Sequence, residues 1–301
     1  MNRVILPGLN GASALGFLAA LGLLRLAHGR RASSMLGFLP DGSFHAFLEG
    51  FDDDPGRLVA DDATGAAGSQ PWRLEYEKAD KRGVKTVADL KAPPAAFGTY
   101  LARCLEEWTH GENEAASYAA AFGTSVAVDG KGNTKPTAFH FTAANQQFLG
   151  TVEAIRGYVS AEWATESLLR GHAARPGPNL RWDPAAERNW ALMANDPNEE
   201  GTSVDAPLEW LTFRALPMFP TSPRGSRVFT TAVSGRGEDM RMTWPLWSTP
   251  ASLHAVRTAL QIPWDGAPEA RRLRGVFAVC TSPIRRTAQG FGNFGPASVT
   301  T

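Results

Sequence analysis

Hydrophobic positions are densest near the start of the chain, in LNGASALGFLAALGLLRL from Leu9 to Leu26. Thirteen residues, Ala12 to Leu24, run without a charge before Arg25. A membrane-spanning helix needs about twenty apolar residues. A secretion signal needs a basic start and a small-residue cleavage site. Here only Arg3 precedes the run, and His28-Gly29-Arg30-Arg31 follows it. Leu15, Leu18 or Ala19, Gly22 and Leu26 share a helical face, with Phe17, Leu21 and Leu24 close by. A helix apolar on nearly all sides is a buried one, so the run predicts a core helix. Pro7, Gly8, Asn10 and Gly11 predict a loop feeding it, with Ser13 or Asn10 as its cap.

Downstream, SSMLGFLPDGSFHAFLEG predicts a β-hairpin turning at Pro40-Asp41-Gly42. FDDDPGRLVADDATGAAGSQP predicts a short helix and a surface loop. Trp72, Leu74 and Tyr76 alternate at period two, as in a half-buried strand. Residues 93–108 predict a helix with Phe97, Leu101, Cys104, Leu105 and Trp108 on its apolar face. NEAASYAAAF continues as a second helix, and a Gly/Lys loop leads to a short strand over 137–141. Phe148, Val152, Ile155, Val159 and Trp163 predict the longest helix, with Gly171 at its end. The stretch ARPGPN, 174–179, is the best boundary. It divides a helix-rich part with a β-hairpin, 1–173, from an Arg-rich α+β part, 180–301, unless the two form one continuous domain. LRWDPAAERNWALMANDPNEEG then reads as edge strand or loop, 208–216 as a helix capped by Asp205, and 227–233 with 240–246 as a strand pair. Residues 253–262 predict a helix and 275–282 a buried strand. No βαβ rhythm is present, so the fold class is α+β, with mixed helices and short antiparallel strands, not doubly wound.

Composition sharpens this picture. The 301 residues allow one large domain or two modest ones, and 43% hydrophobic content supplies a core. Formal net charge is zero, so no global field draws in nucleic acid or anionic lipid. The charge is segregated, however. From Arg214 onward the chain carries eleven Arg and no Lys against four carboxylates, a net +7, leaving −7 for the residues before it. Two cysteines, Cys104 and Cys280, exclude a disulfide framework and predict buried free thiols in a reducing cytosol, with a single bridge the alternative.

The tail holds GFGNFG, 290–295, a literal G-x-G-x-x-G. The dinucleotide fingerprint needs a helix to begin at that loop, and only six residues follow, starting with Pro296. What remains, SPIRRTAQGFGNFGPAS, offers two readings. Arg285 and Arg286 could contact phosphates while Phe291 and Phe294 stack on bases. Alternatively, the two Phe side chains cover the core. Gly237-Glu238-Asp239 and the Asp52-Asp53-Asp54 run with Asp61-Asp62 read as solvated acid; partner carboxylates for a two-metal site and EF-hand spacing are both missing. The six histidines show no zinc spacing. His140, between Phe139 and Phe141, is a structural residue or a general acid-base. The loop DGKGNTK offers Lys131 and Lys135 as phosphate contacts or as an ordinary solvated loop. No catalytic constellation, metal site or cofactor motif assembles.

Several segments together resemble a known family: the opening run, TAFHFTAANQQFL at 137–149, LRWDPAAERNWAL at 180–192, LTFRALPMFPT at 211–221, TWPLW at 243–247, and the Arg/Gly/Phe tail. In that order they are similar to accessory or extension proteins of type I-G (formerly I-U) CRISPR systems, related to the large subunit of that subtype. The resemblance implies a cytoplasmic, non-catalytic subunit of an antiviral ribonucleoprotein effector. Its partners would be other effector subunits and guide RNA and/or target DNA, with no membrane. Its phosphate contacts would come from Arg285, Arg286, Arg274, Arg271 and Arg272, then Arg236 and Arg241, then Lys131 and Lys135, without base reading. Two alternatives remain: a metal-independent guide-RNA-processing ribonuclease using His140 or His254, and a protein–protein scaffold with no nucleic-acid role.

Overall fold

In the computed structural model, which describes residues 2–80, 83–143, 146–171, 173–184, 203–264, 268–287 and 290–301, the early apolar run is one helix, α1 (Ala14–Arg30). Its residues from Ala14 to Leu24 are all buried, as an all-round apolar helix must be. The expected loop before it is a strand, β1 (Arg3–Asn10). Strands β2 (Met35–Phe38) and β3 (His45–Glu49) form the expected hairpin, with Gly42 at φ +85 in its turn. Strand β1 pairs with β3 up to Leu6 and again at Asn10, and the irregularity between them accommodates Pro7, which has no N–H for a ladder. At the helix start Ser13 makes no side-chain cap; instead Asn10 Oδ1 accepts from Ala12 N at 2.8 Å.

Helix α2 (Pro55–Gly65) starts at Asp54, whose carboxylate accepts from Gly56 N, and Pro55 occupies its first position. Trp72 and Leu74 are buried as their alternation requires, but the strand itself, β4 (Tyr76–Asp80), begins only at Tyr76 and pairs with β5 (Gly83–Val87). Helix α3 (Pro94–Thr109) buries Phe97, Tyr100 and Cys104. Two members of its expected face are exposed, Leu105 at 55% and Trp108 at 56%. Leu105 lies about 80° around the helix from Phe97, and Trp108 lies in the last turn. Helix α4 (Asn113–Phe122) follows, then the pair β6 (Gly123–Val128) and β7 (Thr134–Pro136).

The strand expected at 137–141 is a turn. Four consecutive carbonyls there accept tertiary donors instead of a ladder: Ala138 and His140 from the Arg286 guanidinium, Phe139 from Trp182 Nε1, and Phe141 from Gly292 N. The expected longest helix is two, α5 (Phe148–Arg156) and α6 (Ala161–Leu169). Ser160 restarts the helix by accepting from Trp163 N, so the apolar spacing survives while the backbone breaks. Short β8 (Arg175–Pro176) pairs with β9 (Ser203–Val204). Much of the 180–201 reading lies outside the described residues.

Helix α7 (Ala206–Ala215) is capped by Asp205 as its sequence predicts; the carboxylate accepts from Leu208 N. Beyond it come β10 (Thr221–Arg224), β11 (Arg227–Thr230), β12 (Val233–Ser234), β13 (Arg241–Trp247), β14 (Ala251–Ser252), α8 (Leu253–Ala259), α9 (Pro268–Leu273), β15 (Val276–Arg286), β16 (Gly292–Phe294) and β17 (Ser298–Thr300). The expected pairing of 227–233 with 240–246 is divided: β11 pairs with β10, and only β12 meets β13. One sheet runs β1-β3-β2-β14 and another β12-β13-β15-β16, with β17 also on β15. The described pairings are all antiparallel, and the class is α+β.

The core forms around α1. Phe17 stacks on Phe38 and Trp244, joining the two larger sheets. On its other side Gly22 meets α7 at backbone distance, since a Cβ there would fall 1.8 Å from Leu211 O. The main hydrophobic cluster takes residues from both sides of 174–179. Both cysteines are buried and free. Among the described residues no helix is long and apolar enough to cross a membrane.

Candidate functional site

All six lysines of the chain lie between Lys78 and Lys135. The fold brings four of them, Lys78 on β4, Lys85 on β5, Lys91 and Lys131, to one cleft of about 600 Å³. The β4–β5 hairpin forms one rim. The loop between β6 and β7 forms another: Asp129 Oδ1 accepts from Lys131 N and Asn133 N, which fixes the loop backbone and leaves the Lys131 side chain at the surface. The turn at 140–143 and the start of α5 close the far wall with Thr142, Gln146 and Gln147.

The floor is a hydrogen-bonded pair. His140 Nε2 lies 2.9 Å from Asp89 Oδ1 and 3.2 Å from Thr142 Oγ1, and its ring stacks on Phe148. Burial lowers the His140 pKa and outweighs the raising effect of Asp89. Burial opposes ionisation of Asp89, but the bond and charge of His140 bring its pKa below the usual value. At neutral pH the pair is therefore a neutral imidazole donating to a carboxylate. His140 Nδ1 is buried and has no hydrogen-bond partner, so it presents no lone pair to the cleft. Burial also lowers the Lys91 pKa, with Asp89 acting against it. Lys78, Lys91 and Lys131 make no ion pair among the described residues.

The residues singled out in the sequence are dispersed. Arg286 and Lys131 converge, both acting on Lys91 through their charge. Arg286 is nevertheless committed to the fold, because it holds the Ala138 and His140 carbonyls and lies over the Phe141 ring. Arg285 is exposed beside it, opposite Asn293 of β16. Arg271 and Arg272 on α9, and Arg274 over the Trp264 ring, stand at the other end of β15, roughly 30 Å away at about 3.3 Å per residue. Arg236 and Arg241 are exposed near the Gly237–Asp239 turn, where Arg241 Nε donates to Asp239 O. Lys135 is held by Ser226 O. Phe294 is fully buried against Phe139 and Phe141, so it covers the core and cannot stack on a base. Phe291 is half-buried under the Arg181 guanidinium. His140 lies in a turn, and His254 stands on α8 beside His28.

The net +7 of the Arg-rich segment also changes meaning. Arg214, its first member, is largely enclosed, its side chain 12% exposed, in a box of Trp72, Tyr118 and Trp210. Asp62 lies 3.1 Å from its Nε, Glu114 lies 3.1 Å from its Nη1, and Nη1 also donates to Tyr118. Arg25 donates to Glu114 and to the Arg214 carbonyl. Burial raises the Asp62 pKa against the pull of Arg214.

Sequence reasoning missed Lys78, Lys85, Lys91 and Asp89. The confinement of lysine to 78–135 was the available signal. Among the described residues no three His, Cys, Asp or Glu side chains converge to hold a metal. No protein-family model matches the chain, and no curated protein matches it.

Proposed function

We propose that this protein is a non-catalytic, cytoplasmic subunit of a type I-G-like CRISPR effector, touching nucleic-acid phosphates through the lysine cleft and packing on other effector subunits. The observation that carries the phosphate contact is the convergence of Lys78, Lys85, Lys91 and Lys131 on one cleft, with Arg286 behind it. Lysine ammonium groups at a solvent-open rim are suited to backbone phosphates, which carry no sequence information. The effector assignment rests on the sequence resemblance. The closed His140 ring supports the non-catalytic half of the reading.

The test is fluorescence anisotropy of labelled nucleic acid across a salt series, comparing the wild type with Lys91→Gln/Lys131→Gln. Counterion release makes the log–log slope proportional to the phosphates contacted. Salt-dependent binding whose slope falls by the equivalent of about two contacts in the double variant supports the reading. Absence of binding at low salt, or binding indifferent to both lysines, overturns it. RNA in the same samples should remain intact; cleavage lost in His140→Ala would establish the ribonuclease alternative instead.

A further inference from the structure

The walls of the cleft differ in chemistry. The lysines come from the β4–β5 hairpin, Lys91 and the β6–β7 loop; two amides stand at the start of α5, and an aromatic ring, Tyr76, shares β4 with Lys78. Gln147 Oε1 accepts from Ala88 N at 2.8 Å, which leaves its NH2 group to donate. Gln146 Nε2 donates to Asn179 O at 2.8 Å, which leaves its Oε1 to accept. Neither remaining group has a partner among the described residues. The two amides are adjacent in sequence and both line the cleft, as does Asn133. Tyr76 borders the same space, half-buried, with its hydroxyl anchored on Lys91 O at 2.9 Å. Phosphate contact alone requires none of these groups.

We infer that the cleft takes one unpaired nucleotide of a single-stranded nucleic acid, with its phosphates on Lys91 and Lys131, its base edge facing Gln146 and Gln147, and Tyr76 as the stacking surface. This rests on the phosphate-contact reading above and adds the strand type. About 600 Å³ falls within the range of sites that enclose a small ligand, which accommodates a single nucleotide. A duplex could meet only the rim lysines, because its bases are paired and their edges lie inside the grooves. An extruded base brings an edge to hydrogen-bond and a π-face to stack.

The experiment compares labelled mixed-sequence single-stranded RNA, single-stranded DNA and duplex DNA at one salt concentration. The proteins are the wild type, Lys91→Gln/Lys131→Gln, Tyr76→Leu and Tyr76→Phe, each checked by circular dichroism. Single strands should bind at least about tenfold tighter than duplex, and Tyr76→Leu should weaken them about fivefold or more. Tyr76→Phe keeps the ring and should restore most of that loss, which a merely structural role for the hydroxyl would not. The RNA and DNA arms show whether the 2′-hydroxyl contributes. If duplex binds as tightly as single strands and Tyr76→Leu is silent, while the lysine variant still weakens all probes, the nucleotide inference falls and the phosphate reading stands. If the lysine variant changes nothing, both fall.

Discussion

Two regions concentrate positive charge, and the protein treats them in opposite ways. Around Arg214 the charge is enclosed: Asp62 and Glu114 pair with it, Arg25 braces Glu114, and three aromatic rings surround the guanidinium. In the lysine cleft Lys78, Lys85 and Lys131 stand exposed at the rim and Lys91 is half-buried, with Asp89 and Asp129 as the nearby acids. A buried cation must be matched or its desolvation is prohibitive; an exposed one needs no partner and keeps its field for a ligand. Charge counted along a sequence therefore does not map a basic surface. The Arg-rich segment looked like the binding face, yet Arg214 is structural and Arg286 organises a turn; Arg236, Arg241 and Arg285 stand at one end of β15, Arg271, Arg272 and Arg274 at the other, and Arg224, Arg227 and Arg257 lie on β10, β11 and α8.

The largest effect should come from the enclosed side. Arg214→Met leaves Asp62 and Glu114 without their shared cation and should lower the urea-unfolding free energy by about 3–5 kcal/mol. A loss below about 1 kcal/mol would mean the cluster behaves like a surface ion pair, and the contrast between the regions would dissolve.

Next comes another enclosed charge. Glu209, on α7, accepts from Leu180 N, and burial pushes its carboxyl up to about 8 against that bond. Its ordinary value is 4.5, so between those limits the unfolded chain releases a proton that the folded chain keeps. Stability must then decline as pH rises through this window. Glu209→Gln should flatten the decline; identical pH profiles for variant and wild type would refute it.

On the open side the expected effects are on binding, not on folding. Lys131→Gln should leave stability within about 0.5 kcal/mol while reducing the single-strand salt slope by about 0.7. A clear loss of melting temperature would show that Lys131 is structural after all. The smallest effect belongs to Trp108→Ser. With the indole 56% exposed, unfolding free energy should change by no more than about 0.5 kcal/mol, and a larger drop would place Trp108 in a packed site.

The sequence made the fold legible wherever a local signal agreed with the packing. The all-round apolar run became α1, Pro40-Asp41-Gly42 turned the hairpin, and Asp205 capped α7. It failed where tertiary bonds replaced local ones. The 137–141 segment alternates like a strand, but its carbonyls are held by Arg286, Trp182 and Gly292. The spacing from Phe148 to Trp163 looks like one helix because α5 and α6 bury a continuous set of side chains across the break at Ser160. Of the candidate site, Lys131 was legible because Gly and Asp mark its loop. Lys78, Lys85 and Lys91 were hidden, since polar positions around β4 and β5 look like ordinary solvent-facing residues until the loop carrying Lys131 and the start of α5 are placed opposite them.

The close approach of Gly22 to Leu211 also sets a clock. Arg25 and Arg214, bonded across the same helix pair, are 189 residues apart. At about 5–20 residues per second, a ribosome finishes α7 roughly 10–40 s after α1. Through that interval the side of α1 that faces α7 lacks its cover. Newly made α1 is thus the segment that a chaperone would hold, and slowing translation between the two helices should increase aggregation more than slowing it after α7.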